Sequence, residues 1–235
     1  MIRRQRSAPA TVDPRTQPSY TLTDAARYLR LAPGTLRSWV VGRPYPAGGG
    51  TRTFAPLLRP AQNDPLVLSF WDLVEAHVLR ALRTDHGVPV KALRDAISYA
   101  ETTLKIDKLL LRPDLLTGAN HVLLKRYGQL IDLSASGQLA MRKVLEAHLR
   151  RVEWDSERLP FRLFPFVSAD GAVFEKTIAI DPRVAFGRPI VERAGISTDA
   201  IARRLDAGET VDALADDYEL TTGEIEQAAV YERAA

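Results

Sequence analysis

The chain has 235 residues, 46% of them hydrophobic and 26% charged, enough to bury one sizeable core or two to three small ones and too apolar for wholesale disorder. It contains no cysteine, which excludes disulfide frameworks, thiolate zinc sites, iron–sulfur clusters and cysteine nucleophiles, and fits a reducing cytoplasm. The net charge of +3 conceals a split: residues 1–60 carry ten Arg against Asp13 and Asp24, a balance of +8, whereas residues 190–235 carry four Arg against eleven acids, a balance of −7.

Residues 1–19 hold three prolines and no apolar periodicity, and read as a flexible basic arm. They lack the apolar stretch of a secretion signal, and no run in the chain approaches the roughly 18–20 apolar residues of a membrane span, so a soluble cytoplasmic protein is expected. From Tyr20 the pattern changes. Thr21 or Thr23 caps a short helix through Ala25, Ala26 and Leu29, with Asp24 favouring its positive end. Leu31-Ala32-Pro33-Gly34 interrupts it, and Thr35 to Val40 restarts a helix with Pro33 at or before its first turn. Two short helices about ten residues apart across a tight turn have the spacing of a helix-turn-helix.

Residues 42–66, rich in Gly, Pro and Arg, are expected as a hairpin or loop, a wing with Gly48-Gly49-Gly50 at its tip. Those glycines lack the flanking strand, helix and Lys-Ser/Thr of a phosphate loop. Ser69 reads as the cap of a helix carrying Phe70, Leu73, Val74, His77, Val78, Ala81 and Leu82 at helical spacing until Gly87, and His77 on that stripe is expected as a core or interface residue. A further helix after Pro89 aligns Val90, Leu93, Ile97, Ala100 and Leu104 as core or as a dimer seam.

The segment 105–177 is expected to form a small sheet with one helix on it. From 108 to 180 the strand candidates are Leu109–Leu111, His121–Leu124, Gln129–Leu133, Val152–Asp155, Leu163–Val167 and Ala179–Ile180; the helix is Gln138–Arg151, with Leu139, Val144, Leu145 and Leu149 inward. Three short helices close the chain: Thr198–Leu205 ending near Gly208, Thr210–Asp217 ending near Leu220, and Thr221–Tyr231. The fold expected is α+β, mainly α. It comprises a winged helix-turn-helix over 20–104, the linking or dimerising segment 105–177, and a trihelical unit over 178–235.

In the first helix pair, Leu22, Ala26, Leu29, Leu31, Leu36 and Trp39 form a core that leaves Thr35, Arg37 and Ser38 outward on the second helix. Arg reads guanine edges or clamps phosphate, and hydroxyls anchor the backbone, so these residues are the candidate DNA contacts. Arg43 and Arg52 in the following loop are placed to neutralise flanking phosphates. Two-fold operators match dimeric helix-turn-helix proteins, so a homodimer is expected. At the other end the acids Asp206, Glu209, Asp212, Asp216 and Asp217 suit a basic protein surface. Asp216 and Asp217 are adjacent and point about 100° apart on a helix, and His77, His86, His121 and His148 have no ligand spacing, so no metal, no cofactor and no enzymatic activity are expected.

The run Tyr20-Thr21-Leu22-Thr23-Asp24-Ala25-Ala26 through Thr35-Leu36-Arg37-Ser38-Trp39 resembles the helix-turn-helix of MerR-type regulators. Ser69 to Val74, Leu79 to Leu82 and Gly87-Val88-Pro89-Val90 resemble the elements beyond the wing, which is longer and Pro-rich here. Ile180-Asp181-Pro182, Phe186-Gly187-Arg188-Pro189-Ile190-Val191, Leu205 to Glu209 and Leu214 to Tyr218 resemble a small helix-turn-helix-like family similar to the antitoxins encoded beside PIN-like ribonuclease toxins. The whole arrangement resembles a VapB-type antitoxin. That resemblance implies a toxin partner, a toxin-binding role for Arg188 and the five acids, and autorepression at operator DNA. The alternatives are a MerR-like regulator whose carboxyl end senses a ligand or another protein, and an enzyme acting on nucleic acid.

Overall fold

In the computed structural model, residues 12–85, 87–103, 105, 107–112, 146–165 and 176–233 are described. β1 (Tyr20–Thr21) leads directly into α1 (Leu22–Tyr28). Thr21 caps that helix: its hydroxyl accepts from Asp24 N and donates to the Asp24 carboxylate, so two end groups satisfy each other. Pro33 opens α2 (Pro33–Val40), where its missing N–H costs nothing. Ala25, Ala26, Leu29, Leu36 and Trp39 are buried between the two helices, with Leu22 and Leu31 partly buried against them.

The wing expected after α2 is the hairpin β2 (Arg43–Ala47) and β3 (Gly50–Phe54), with Gly48 and Gly49 at positive φ in its turn. The rest of 42–66 lies elsewhere. β4 (Gln62–Asn63) and β5 (Leu66–Leu68) form a sheet of order β1-β5-β4, pairing Tyr20 with Leu68 and Thr21 with Val67. The backbone before and after the helix-turn-helix is thereby stitched together.

α3 (Phe70–Arg80) begins with a capping box between Ser69 and Asp72 and is buried on almost every side, including Asp72, Glu75 and His77. A helix buried all round is the centre of a core rather than its cover. β5, the segment Pro160–Leu163 and the 3-10 turns at Pro14–Thr16 and Leu109–Leu111 all pack on it. His77 lies 5.1 Å from the ring of His148, and burial holds it in its neutral form. α4 (Val90–Thr102) turns Leu93 and Ala100 into the same core, with Val90 and Ile97 partly buried on it. Leu104 lies outside the described residues.

Three expectations change here. Leu109–Leu111 is a 3-10 turn, not a strand: all three leucines are buried, and with no strand paired to them among the described residues their backbone bonds close locally, Leu111 N to Lys108 O and Arg112 N to Leu109 O. Of the segment Leu163–Val167 only Leu163 is in a strand, β7 (Pro160–Leu163), which pairs with β6 (Val152–Trp154) as a hairpin and is tied by a bridge from Leu163 to Ile180; Phe166 and Val167 lie outside the described residues. The basic arm is docked from Asp13 onward. Arg15 bridges Asp13 and Asp155, 140 residues away, with its guanidinium over Trp71. His121–Leu124, Gln129–Leu133 and the first part of Gln138–Arg151 lie outside the described residues; 146–149 is helical and Leu149 is buried.

At the carboxyl end, β8 (Ile178–Ala179), β9 (Ile190–Val191) and β10 (Ile196–Ser197) make a three-stranded antiparallel sheet. It is followed by α5 (Thr198–Asp206), α6 (Val211–Tyr218) and α7 (Thr222–Arg233). The helices match the sequence expectation because their caps are local: Thr210 accepts from Ala213 N, and Thr221 and Glu224 cap each other's backbone. Of the sheet only the first strand is expected from the sequence, at Ala179–Ile180; β9 and β10 are additions. This unit has its own core of Ile178, Val191, Ile201, Leu214, Leu220, Ile225, Ala228 and Tyr231. It is nevertheless joined to α1: Tyr231 donates to the carbonyl of Tyr28, and Glu232 pairs with Arg27 at 2.9 Å while accepting from Thr198.

Gly187, at φ +74, lies so close to Tyr20 that a Cβ there falls 2.2 Å from the Tyr20 hydroxyl oxygen. Gly187→Ala is expected to cost roughly 2 kcal/mol or more in denaturant unfolding. Tyr20→Phe in the same chain should restore part of that loss, since the buried hydroxyl has no hydrogen-bond partner among the described residues to forfeit. Burial pushes the Glu75 carboxyl up from 4.5 to about 7, against the opposing pull of Lys108 at 2.9 Å. Between those two values the folded chain keeps a proton that the unfolded chain releases, so stability falls as pH rises across the window. The melting temperature is expected to rise as pH is lowered from about 8 toward 5.5, and Glu75→Gln to flatten that slope.

Candidate functional site

The surface of α2 is set by what its other side buries. With Leu36, Trp39 and Val40 inward, Pro33, Gly34, Arg37 and Val41 are exposed. Thr35 and Ser38 are half-buried, and the Ser38 hydroxyl donates to the Thr35 carbonyl at 2.7 Å. Of the three outward residues expected on this helix, Arg37 is therefore the open one.

The wing is anchored to the same helix. Leu57 N and Leu58 N both donate to the Trp39 carbonyl, at 2.7 and 3.0 Å, satisfying an acceptor in the last turn of α2. At the wing's base Gly42 has φ +90, and a Cβ there falls 2.2 Å from the Phe54 carbonyl, so only glycine permits this approach. The register pairs Arg43 with Phe54 and Tyr45 with Arg52. Cross-strand partners share a face and alternate residues return to it, so Arg43, Tyr45, Arg52 and Phe54 lie on one side of the hairpin.

Three residues of this region escaped the sequence reading. Tyr45 and Phe54 stack at 4.1 Å between ring centres. Arg94, from α4, sits over the Phe54 ring and donates to the Ala55 carbonyl at 2.9 Å. Alternation within β2 and β3 was the available signal for the aromatic pair; nothing local pointed to Arg94, forty residues further along.

The tertiary structure also sorts the arginines of the basic end. Arg15, Arg27 and Arg59 are held in ion pairs with Asp155, Glu232 and Glu101, and Arg30 lies over the Tyr231 ring. Arg37, Arg43 and Arg52 are exposed, with no ion pair among the described residues. Among the described residues of the basic end, these three arginines are the exposed ones without an ion pair. An exposed guanidinium on a rigid support forms the bidentate contacts that guanine edges and phosphates offer.

The acidic residues separate in the same way. Arg204 pairs with both Glu209 and Asp217 and lies over the Tyr218 ring, and Arg233 pairs with Asp206. Asp212 and Asp216 are exposed one turn apart on α6, with no ion pair among the described residues. Arg188 is not with them. It lines a polar cleft of about 310 Å³ between α1 and α5, together with Asp24, Arg27, Asp199, Arg203 and Glu232. The six residues named for a protein partner therefore fall on two separate surfaces. Among the described residues no cluster of three His, Cys, Asp or Glu is placed to hold a metal ion, and no helix is long and apolar enough to cross a membrane.

Two family models match parts of the chain. Residues 18–97 match a family model described as "Putative DNA-binding HTH domain", and residues 178–231 match "Protein of unknown function (DUF433)". Over 230 residues the chain is 29% identical to "Putative antitoxin VapB45" of Mycobacterium tuberculosis, covering 90% of this chain and 92% of that protein. The crystal structure of Rv2018 from the same organism superposes with a TM-score of 0.65 at 23% identity, over 90% of this chain and 97% of that one, and shares its fold. The chain is thus similar over nine-tenths of its length to a protein named as a putative antitoxin, and its amino-terminal part matches a helix-turn-helix model.

Arg37→Ala is expected to weaken specific binding to DNA from the chain's own promoter region by about 1–3 kcal/mol. Arg52→Ala should weaken all sequences alike and lower the salt dependence by about one counterion. Fluorescence anisotropy at several salt concentrations measures both, and unchanged operator affinity in the Arg37 variant removes α2 as the reading helix.

Proposed function

We propose that this protein is the antitoxin of a type II toxin–antitoxin pair, a non-enzymatic cytoplasmic dimer that neutralises a PIN-like ribonuclease and represses its own operon. One observation carries the reading. A helix-turn-helix with three uncommitted arginines and an acidic helical module form one body, joined α1 to α7, in a chain similar over nine-tenths of its length to an antitoxin. Thr35, Arg37, Ser38, Arg43 and Arg52 serve the operator, Arg37 reading base edges and the wing arginines gripping phosphate. The hydroxyls of Thr35 and Ser38 act mainly by fixing the turn of α2 from which Arg37 projects.

The carboxyl module serves the toxin. A ribonuclease presents a basic surface to RNA around a carboxylate-bound metal, and an acidic helix face complements that surface while speeding encounter. Asp212 and Asp216 are the acids free to do this. Asp206, Glu209 and Asp217, already paired with Arg233 and Arg204, shape the module and contribute to its field.

The test is co-expression of the tagged full chain with the adjacent reading frame, followed by size-exclusion chromatography with light scattering. The expected result is a stable complex with a small nuclease that is active only when released. If the chain binds its promoter DNA and no neighbour co-purifies, the antitoxin reading fails and a ligand-sensing regulator takes its place.

A further inference from the structure

The loop between β8 and β9 holds the most exposed large hydrophobic side chain of the described residues: Phe186 is 93% exposed. Its neighbours behave otherwise. Val184 and Ala185 are partly buried against the cluster of Phe164, Ala179 and Ile190. The backbone here is unusual as well. Ala185, Phe186 and Gly187 have φ of 47°, 56° and 74°, three successive left-handed residues, two of which carry a Cβ. For L-residues that region crowds Cβ against the carbonyl oxygen, so two in succession persist only where the surroundings over-determine them.

The surroundings do so. Asp181 is fully buried; its carboxylate accepts from Arg183 N and side chain and pairs with Arg162, and its carbonyl accepts from Val184 N. Gly187 N returns to Val184 O, and Arg188 N to Ala185 O. Gly187 itself is wedged against Tyr20 of the helix-turn-helix body. A loop free to relax would fold its phenyl ring onto the protein. This one is clamped at both ends and holds the ring in solvent, with Arg188 exposed two residues on and in no ion pair among the described residues.

We propose that Phe186 is the anchor by which the carboxyl module docks its protein partner, inserting into an apolar pocket of that partner with Arg188 meeting a carboxylate at the pocket's rim. The assignment rests on the antitoxin reading, in which the partner is the toxin. Aromatic and Arg side chains dominate the energetics of protein interfaces, and one presented on a rigid loop loses little freedom on docking. A nucleic-acid partner is disfavoured by the charge of the carboxyl module as a whole: residues 178–235, which include this loop, carry six Arg against twelve acids.

The experiment uses the full chain and the product of the adjacent reading frame. Asn tolerates the left-handed region better than Phe, so Phe186→Asn is expected to melt at or above the parent temperature. The same variant should bind the neighbour's product on the order of 30-fold more weakly. Phe186→Tyr, which keeps the ring, should retain most of the affinity. A variant that is stable and weakly binding separates this role from a structural one, because loss of a packing residue lowers both. Capture by the parent chain with unchanged affinity in Phe186→Asn overturns the anchor and leaves the antitoxin reading standing. A folded, DNA-binding parent that fails to capture the neighbour's product overturns that reading and this assignment with it. A parent dimer that becomes monomeric in Phe186→Asn, with affinity for the neighbour's product unchanged, makes this face a contact between copies of the chain and overturns the choice of partner.

Discussion

Glu232, near the end of α7, is only 8% exposed, and such a carboxylate is tolerated only when its charge is met. It is met twice, by the Arg27 guanidinium at 2.9 Å and by the Thr198 hydroxyl. Arg27 belongs to the last turn of α1 and Thr198 to the start of α5, so a single side chain ties the first helix of the chain to two helices of the last module. Beside it the Tyr231 hydroxyl takes the carbonyl of Tyr28, one of the acceptors a helix leaves open at its carboxyl end. The two ends of opposite charge meet at this seam, which is why the module has its own core and yet is not a separate body.

The same economy of charge shapes both candidate surfaces. At the amino-terminal end ion pairs hold Arg15, Arg27 and Arg59, and among the described residues the exposed guanidinium groups left unpaired there are Arg37 on α2 and Arg43 and Arg52 in the wing. In the acidic module Arg193, Arg203, Arg204 and Arg233 are each paired, with Glu224, Asp199, Glu209 and Asp217, and Asp206. Exposed pairs of this kind add little stability. Their effect here is to decide which carboxylates still present an unneutralised charge, and α6 offers two of them on one face.

Rigidity behind these surfaces comes from backbone contacts more than from side chains. The Trp39 carbonyl receives both N–H groups of the returning wing, Gly42 admits the Phe54 carbonyl, and Arg94 closes the far side over the Phe54 ring. A recognition helix and wing held in this way meet a ligand without first being ordered, which saves the entropy of ordering them. The loop of Phe186 is held by the same means, with a glycine where Tyr20 leaves no room for a side chain.

What the sequence determined by itself is what a few neighbouring residues can enforce. Thr21 with Asp24, Ser69 with Asp72, and Thr221 with Glu224 set helix starts through bonds that span three residues, and the spacing of Leu36, Trp39 and Val40 sets which side of α2 is buried. These were readable because cap chemistry and helical period are local. Tertiary structure decided the rest. Strands of two residues, such as β1, β9 and β10, have no alternation to read and exist only because a partner strand lies beside them. Three leucines at 109–111 spell a strand as readily as a turn until α3 supplies the surface that buries all three. Which arginines and acids stay free, the docking of Arg15 on Asp155, and the outward hold on Phe186 all depend on residues far apart in the chain. Charge and hydrophobicity are properties of a residue; whether a charge is met or a ring is covered is a property of its neighbours in space.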